Sequence, residues 1–167
     1  VVWNQTLLPG EELPSDPAAT VKALGFDSFT SYVWVHHGVL DAFPETGYDA
    51  ARDVYMAYWD TVLASFDLPY FPNVTMGWDP SPRTVQSDRY LNVGYPFTPV
   101  LGNATPERFR AALEMTRARL EALDGPRIVT LNAWNEWTEG SYLEPDQVHG
   151  MKYLEAVRDV FRPAGTN

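Results

Sequence analysis

The chain has 167 residues and a formal net charge of -10, with 12 basic side chains, 22 acidic ones and no cysteine. This length suffices for one domain with a hydrophobic core, the acidic balance disfavours binding to a nucleic-acid backbone, and disulfides and thiolate metal sites are excluded. No apolar run approaches the ~20 residues that cross a bilayer, so we also predict no membrane span.

The first half of the chain predicts a short helix, a strand and a long helix, in that order. A Pro- and Glu-rich loop over residues 1–15 precedes Asp16, which we predict to cap a helix over residues 17–24. Aromatic and β-branched residues then predict a strand over residues 26–35. Apolar residues at helical spacing predict a helix over about residues 48–65.

The second half predicts two further strand and helix pairs. Residues 70–76 predict a strand, and the segment 80–102 that follows has several prolines and little periodicity. Irregular segments of this length in compact domains are usually functional. A helix over residues 105–123, a strand over residues 127–131 and a helix over about residues 148–161 complete the pattern.

This alternation of strands and helices predicts a parallel sheet with right-handed crossovers. The unusual polar and aromatic residues follow the strands, in segments 32–37, 78–83 and 134–144, and the carboxyl ends of barrel strands converge on one face. No Gly-rich dinucleotide motif supports a doubly wound sheet. A complete (β/α)8 TIM barrel needs ~200 residues or more, so we expect residues 1–167 to be one domain that forms the C-terminal three or so βα units. Open strand edges in such a piece predict self-association, or pairing with the rest of the barrel.

The strongest chemical signal is a pair of carboxylates three residues apart, Glu136 and Glu139, among the rings of Trp134, Trp137 and Tyr142. A sugar site needs flat apolar walls for a pyranose ring and carboxyl groups that move protons. Coulomb repulsion between neighbouring carboxylates favours one protonated and one ionised group, which suits acid–base catalysis. Solvated glutamates on a surface loop are the alternative interpretation.

Two sequence blocks also carry a family resemblance. The first block is Trp134-Asn135-Glu136-Trp137-Thr138-Glu139-Gly140, followed by Tyr142-Leu143-Glu144-Pro145. The second block is Gly77-Trp78-Asp79-Pro80-Ser81-Pro82-Arg83. The first resembles the Asn-Glu-Trp-x-Glu-Gly signature of glycoside hydrolase family 99 and its WbsX-like relatives from polysaccharide gene clusters, and the second is similar to the Gly-Trp-Asp-x-x-Pro-Arg block of the WbsX-like members. The resemblance spans most of the chain and implies the same (β/α)8 fold.

The resemblance implies a retaining, endo-α-mannosidase-like glycoside hydrolase that cleaves an α-linked mannose- or rhamnose-containing polysaccharide or oligosaccharide. In such a reaction the 2-hydroxyl of the substrate attacks the anomeric carbon. The resemblance implies that Glu136 would assist that hydroxyl as a base, while Glu139 would be the general acid for the leaving sugar and later the base for water. Thr138 stands where the family hydrolases often have His, which moves the match toward the WbsX-like branch. We expect neither a metal nor an organic cofactor.

The other candidate residues are expected to bind the carbohydrate. They are Tyr32, Trp78, Asp79, Arg83, Trp134, Asn135, Trp137, Tyr142 and Glu144. Trp78 and Asp79 suggest an aromatic platform and a hydroxyl acceptor, with a buried Trp and an Asp that caps the next turn as the alternative. For Arg83, the alternative to sugar binding is a structural ion pair with Asp79 or a glutamate. The adjacent His36 and His37 lack the spacing of metal ligands and predict no metal site.

Two other functions remain open. A glycosyltransferase-associated protein of polysaccharide biosynthesis would need a site for a nucleotide-sugar diphosphate, and the sequence has neither an Asp-x-Asp motif nor a basic cluster for phosphate. A non-catalytic carbohydrate-binding protein would use the aromatic walls but has no need for the two close carboxylates. The sequence leaves the cellular location open.

Overall fold

The computed structural model describes residues 14, 16–38, 40, 42–85 and 89–162. Most of the predicted N-terminal loop therefore lies outside the described residues. The four predicted helices are confirmed as α1 (Pro17–Ala23), α2 (Tyr48–Ser65), α3 (Pro106–Glu121) and α4 (Lys152–Phe161). None of the helices in these ranges is long and apolar enough to cross a membrane.

Local side-chain contacts explain where the helices begin. The Asp16 carboxylate accepts a hydrogen bond of 2.9 Å from the backbone N–H of Ala19, which caps α1 as predicted. The Thr105 hydroxyl caps α3 by accepting the backbone N–H of Arg108 at 3.3 Å. Helix α4 begins later than predicted, because the backbone N–H of Gly150 bonds to the carbonyl of Asp146 at 3.0 Å and closes a separate turn before it.

The strands are short. They are β1 (Phe29–Thr30), β2 (Glu45–Gly47), β3 (Tyr70–Phe71), β4 (Asn73–Thr75), β5 (Val100–Gly102), β6 (Thr130–Asn132), β7 (Asn135–Glu136) and β8 (Ser141–Tyr142). Three pairs are parallel, namely β1 with β3, β2 with β5, and β4 with β6. Pro72 alone separates β3 from β4, so one extended run pairs with β1 at its start and with β6 at its end.

Parallel strands that alternate with helices confirm the predicted mixed α/β class. The β7–β8 pair is antiparallel and forms a hairpin after β6. No closed barrel forms among the strands of the described residues, where each sheet contains two strands. The (β/α)8 prediction is therefore supported only as far as its parallel βα units.

Two predicted strands are shorter than expected, and four observed strands, β2, β5, β7 and β8, were not predicted. The strand predicted over residues 26–35 ends at Thr30, because Trp34 leaves the sheet in a 3-10 turn. There its backbone N–H donates to the Thr75 hydroxyl at 3.1 Å and its indole N–H donates to the carbonyl of Asn73 at 2.9 Å. Strands β2 and β5 have three residues each, too few to show a period.

An aromatic core packs α2 and α3 against the parallel strands. Its largest fully buried side chains include Trp34, Trp59, Tyr48, Tyr55 and Phe29. Buried hydroxyls find partners, since Tyr48 donates to the carbonyl of Thr75 at 2.6 Å and the Tyr55 hydroxyl accepts the backbone N–H of Asn73 at 2.7 Å. Burial of each such ring contributes about 1.5–3 kcal/mol, so the strand ends that carry the polar residues rest on a rigid support.

Candidate active site

A 3-10 turn places the two candidate catalytic glutamates. The turn spans Trp137–Glu139 inside the β7–β8 hairpin, directly after Glu136. Gly140 ends it with a φ of 59°, in the left-handed region that glycine adopts without steric cost. Glu139 is buried, whereas Glu136 is half-buried. The hairpin thus holds two carboxylates three residues apart in the chain but in different environments.

The guanidinium of Arg83 contacts both carboxylates. Its Nη2 lies 2.9 Å from Oε1 of Glu136 and its Nε lies 3.6 Å from Oε1 of Glu139. Arg83 belongs to the 3-10 turn Ser81–Arg83 that follows β4, the strand paired with β6. Neighbouring parallel strands therefore bring the second sequence block to the first, and a single cation joins the two glutamates.

Two tyrosine hydroxyls donate to the buried Glu139. Tyr32, which follows β1, donates to Oε2 at 3.1 Å, and Tyr95 donates to Oε1 at 2.9 Å. Burial, together with the neighbouring Glu139 charge, raises the pKa of the Tyr32 phenol well above its usual value. Burial and the hydrogen bond to Glu139 likewise raise the pKa of Tyr95. Both phenols therefore keep their protons at neutral pH and act as donors.

Asp79 and Trp78 have structural partners in this site. The Asp79 carboxylate accepts the backbone N–H of Ser81 at 3.0 Å and so caps the following turn. Trp78 is 2% exposed, and its indole N–H donates to the hydroxyl of Thr98 at 3.0 Å. The structure thus favours the alternative interpretation of both residues, as a buried ring and a turn cap, over an open platform.

Exposed aromatic rings lie on the hairpin beside the carboxylates. Trp137 stacks on Tyr142 with 3.7 Å between ring centroids and 15° between ring planes. Its indole N–H donates to Oε2 of Glu144 at 2.7 Å. Trp134 is 55% exposed and Trp137 is 45% exposed, and their apolar faces suit contact with a sugar ring. Asn135, opposite Tyr142 in the β7–β8 pair, is also exposed.

Sequence reasoning missed Tyr95. It lies in the irregular segment 80–102, and its ring packs near Trp78, with 6.3 Å between centroids, while Arg83 lies 6.0 Å from its ring centre. No spacing rule connects Tyr95 with Glu139. The length and irregularity of that segment were the signals used, and they predicted a functional segment without selecting a residue.

The adjacent histidines contact different aromatic partners. His36 lies edge-on to Trp78 at 5.8 Å, whereas His37 stacks on Tyr58 of α2 at 4.3 Å. Burial, followed by the charge of His36, lowers the pKa of His37 to about 3. Within the described ranges, no group of three or more His, Asp or Glu side chains is close enough to hold a metal ion.

Two carboxylates among exposed aromatic rings thus follow β6, one of the parallel strands. The family model described as "Glycosyltransferase WbsX" matches residues 27–157, and the chain belongs to this family. The matched region contains both sequence blocks and all the candidate site residues.

Two similar proteins come from strains of Xanthomonas campestris pv. campestris, and each is called "Uncharacterized protein WxcX". Each is 39% identical to this chain over 101 residues, which cover 59% of this chain and 13% of the relative. The match thus spans a small part of these much longer proteins. No solved structure gave a significant match.

Proposed function

We propose that this chain carries the acid–base site of a glycoside hydrolase that cleaves an α-linked manno- or rhamno-configured polysaccharide or oligosaccharide. The contact of one guanidinium, that of Arg83, with both Glu136 and Glu139 carries this proposal. It brings the two carboxylates to one place, beside the exposed rings of Trp134 and Trp137. A pair of carboxylates flanked by aromatic walls is the usual equipment for glycoside cleavage.

The two carboxylates have different surroundings, which suits two roles. Glu136 is the ion-pair partner of Arg83 and is half-buried, so it is placed to accept a proton from the 2-hydroxyl of the substrate. As that oxygen bonds to the anomeric carbon, the bond to the leaving sugar breaks and Glu139 protonates the leaving oxygen. Water then attacks the anomeric carbon, Glu139 takes a proton from the water and Glu136 returns one to the 2-oxygen. Inversion occurs twice, so the configuration is retained.

We further propose that these βα units belong to a (β/α)8 barrel whose other strands complete the site. The three parallel pairs and the polar residues after β1, β4 and β6 support this arrangement. Ile128, just before β6, is 46% exposed, so an apolar side chain lies uncovered next to this strand. A further strand beside β6, from the same polypeptide or a second copy, would cover it.

Sugar transfer is the second candidate, because the family description names a glycosyltransferase. A transferase would bind a nucleotide diphosphate, for which cationic or amide donors are needed. Among the described residues, Arg83 is the cation that contacts the two glutamates, and its guanidinium already pairs with their carboxylates. The site geometry therefore favours hydrolysis.

The test uses the full-length protein with α-mannoside and α-rhamnoside oligosaccharides, and separately with nucleotide sugars and an acceptor. We expect hydrolysis of an α-linked oligosaccharide, with a loss of at least about 10²-fold in kcat for Glu139→Gln and for Glu136→Gln. The exposed Glu114→Gln on α3 is a control that should retain wild-type rates. Unchanged turnover in Glu139→Gln, or transfer from a nucleotide sugar without hydrolysis, would overturn the proposal.

A further inference from the structure

Each oxygen of the Glu139 carboxylate is engaged by a different phenol. Tyr32 donates to Oε2 at 3.1 Å and Tyr95 donates to Oε1 at 2.9 Å. The two tyrosines come from unrelated parts of the chain, one after β1 and the other from the irregular segment before β5. The Glu139 carboxylate thus accepts one phenol hydrogen bond at each oxygen, and the two bonds can differ in role.

The two phenols that donate to Glu139 differ in how much of their side chain is exposed to solvent. Tyr32 is half-buried and packs beside His36, with 6.1 Å between ring centroids. Tyr95 is 46% exposed and sits on a tight turn, which the backbone N–H of Phe97 closes by donating to the carbonyl of Gly94 at 2.7 Å. Oε1 therefore lies next to the more exposed of the two phenols.

The turn that carries Tyr95 is anchored on both sides. Tyr90 donates its hydroxyl to the carbonyl of Thr98 at 2.7 Å, and its ring stacks on Phe43 at 5.5 Å. The indole N–H of Trp78 donates to the Thr98 hydroxyl at 3.0 Å. These contacts fix the turn that carries Tyr95, whose hydroxyl donates to Oε1 of Glu139.

Resting on the proposed hydrolase function, we infer that Tyr95 is a positioning residue for Glu139, and that Oε1 of Glu139 is the oxygen that passes its proton to the leaving sugar. Tyr32 fixes Oε2 throughout. Without substrate, the Tyr95 hydroxyl donates to Oε1 and aims it at the cleft. In the complex with substrate, Oε1 carries one proton taken up from solvent and gives it to the glycosidic oxygen as the bond to the anomeric carbon breaks, while the Tyr95 hydroxyl keeps donating to Oε1. The proton of Tyr95 stays on its phenol.

This role predicts a leaving-group effect. The groups that face Glu139 are Tyr32, Tyr95 and Arg83, with Glu136 on the other side of the guanidinium. A poor leaving group needs the proton from Oε1, whereas a nitrophenolate departs without it. Loss of a residue that acts through Glu139 should therefore slow cleavage of a substrate with a poor leaving group more than cleavage of the nitrophenyl glycoside.

The experiment compares Tyr95→Phe with wild type in the full-length protein, on 4-nitrophenyl α-mannoside and on α-mannobiose. We expect kcat to fall about tenfold on the disaccharide but by no more than about twofold on the nitrophenyl glycoside. The matched control is Tyr153→Phe, the same change on α4, where the hydroxyl donates to the carbonyl of Ala104 at 2.8 Å; it should keep the wild-type ratio of the two rates. Equal losses on both substrates would overturn the inference.

A second readout needs no turnover. Tyrosine labelled with ¹³C at Cζ, with Tyr95 assigned from the Tyr95→Phe spectrum, reports the titration of this phenol by NMR. Glu139→Gln should lower the pKa of Tyr95 toward its usual value, because burial and the hydrogen bond to Glu139 raise it. If wild type cleaves neither glycoside yet Tyr95 responds to Glu139→Gln, the hydrolase proposal fails while the contact stands. If Tyr95 does not respond, the contact and the inference both fail.

Discussion

The backbone N–H of Asp79 donates a hydrogen bond of 2.6 Å to the carbonyl oxygen of Glu139. This bond joins the two sequence blocks directly, since one follows β4 and the other follows β6, and these strands are paired. A Cβ on Gly77 would lie 2.6 Å from the carbonyl oxygen of Gly140, so the two blocks are also in close backbone contact. The acidic turn and the Gly-Trp-Asp block therefore form one structural unit.

Gly140 is the residue that permits this contact, and Gly140→Ala should disrupt it. The φ of 59° is unfavourable for alanine, and a Cβ there would lie 2.8 Å from the Cβ of Asp79. We expect a loss of about 2–4 kcal/mol in the free energy of unfolding, from left-handed strain of about 1–2 kcal/mol plus the clash, and a lower rate. Urea denaturation measures the loss. The control is Gly150→Ala, with a φ of 57° and no atom within 4 Å of the added Cβ, which should lose only about 1–2 kcal/mol. Equal losses in the two variants would contradict the steric argument.

Arg83→Met should separate activity from stability. We expect kcat/KM to fall by about 10²-fold, because the cation that orients both glutamates is lost. Both partners of the Arg83–Glu136 pair are more than a third exposed, so the free energy of unfolding should change by less than about 1 kcal/mol. Arg83→Lys should recover only part of the rate, since an ammonium lacks the planar fork that reaches two carboxylates.

Kinetics and thermal unfolding of the same Arg83 variants measure both effects. Arg158→Met is the matched control, because Arg158 pairs with Asp159 on the surface of α4 at 2.7 Å. That variant should retain the wild-type rate. Full activity in Arg83→Met would show that the contact with the two glutamates has no role in the reaction.

His37 should make the protein sensitive to acid. Burial, followed by the charge of His36, holds the pKa of folded His37 at about 3, against ~6.5 for an unfolded histidine. Between these values the unfolded chain binds a proton that the folded chain does not bind. Stability should therefore fall as the pH drops from ~6.5 toward 3, by up to about 1.4 kcal/mol per pH unit from this group.

The variant that tests this is His37→Phe, which keeps a ring against Tyr58, where the imidazole now stacks at 4.3 Å. Urea denaturation of both proteins at several pH values between 7 and 4 gives the two stability curves. We expect the variant to lose less stability on acidification than wild type. Parallel curves would show that His37 titrates in the folded protein as it does in the unfolded chain.

Helices were the most predictable part of the fold. Their apolar spacing and caps are local, so α2 was predicted at its observed bounds and the cap at Asp16 was recognised. The short strands were less predictable, since two or three residues show no period. Trp34 shows the reason most clearly: its backbone and indole bond to Thr75 and Asn73, partners distant in sequence, and these contacts end the strand.

The site was predictable where its residues cluster in sequence. Glu136, Glu139 and the surrounding aromatic residues could be recognised because they are adjacent in the sequence, within residues 134–142. Their polar partners could not be assigned in the same way. From the sequence, the possible ion-pair partners of Arg83 were Asp79 or a glutamate. The fold decides between them, because it places Arg83 in contact with both Glu136 and Glu139.

The sequence by itself determined the α/β class, the helices, the family and the pair of carboxylates, because these depend on local periodicity and on residues adjacent in the chain. The tertiary structure alone decided that Tyr32, Arg83 and Tyr95 meet at Glu139. The physical reason is that parallel strand pairing brings together strand ends that are distant along the chain. The contact geometry at those ends depends on backbone register and close packing, which no spacing of residues in the sequence records.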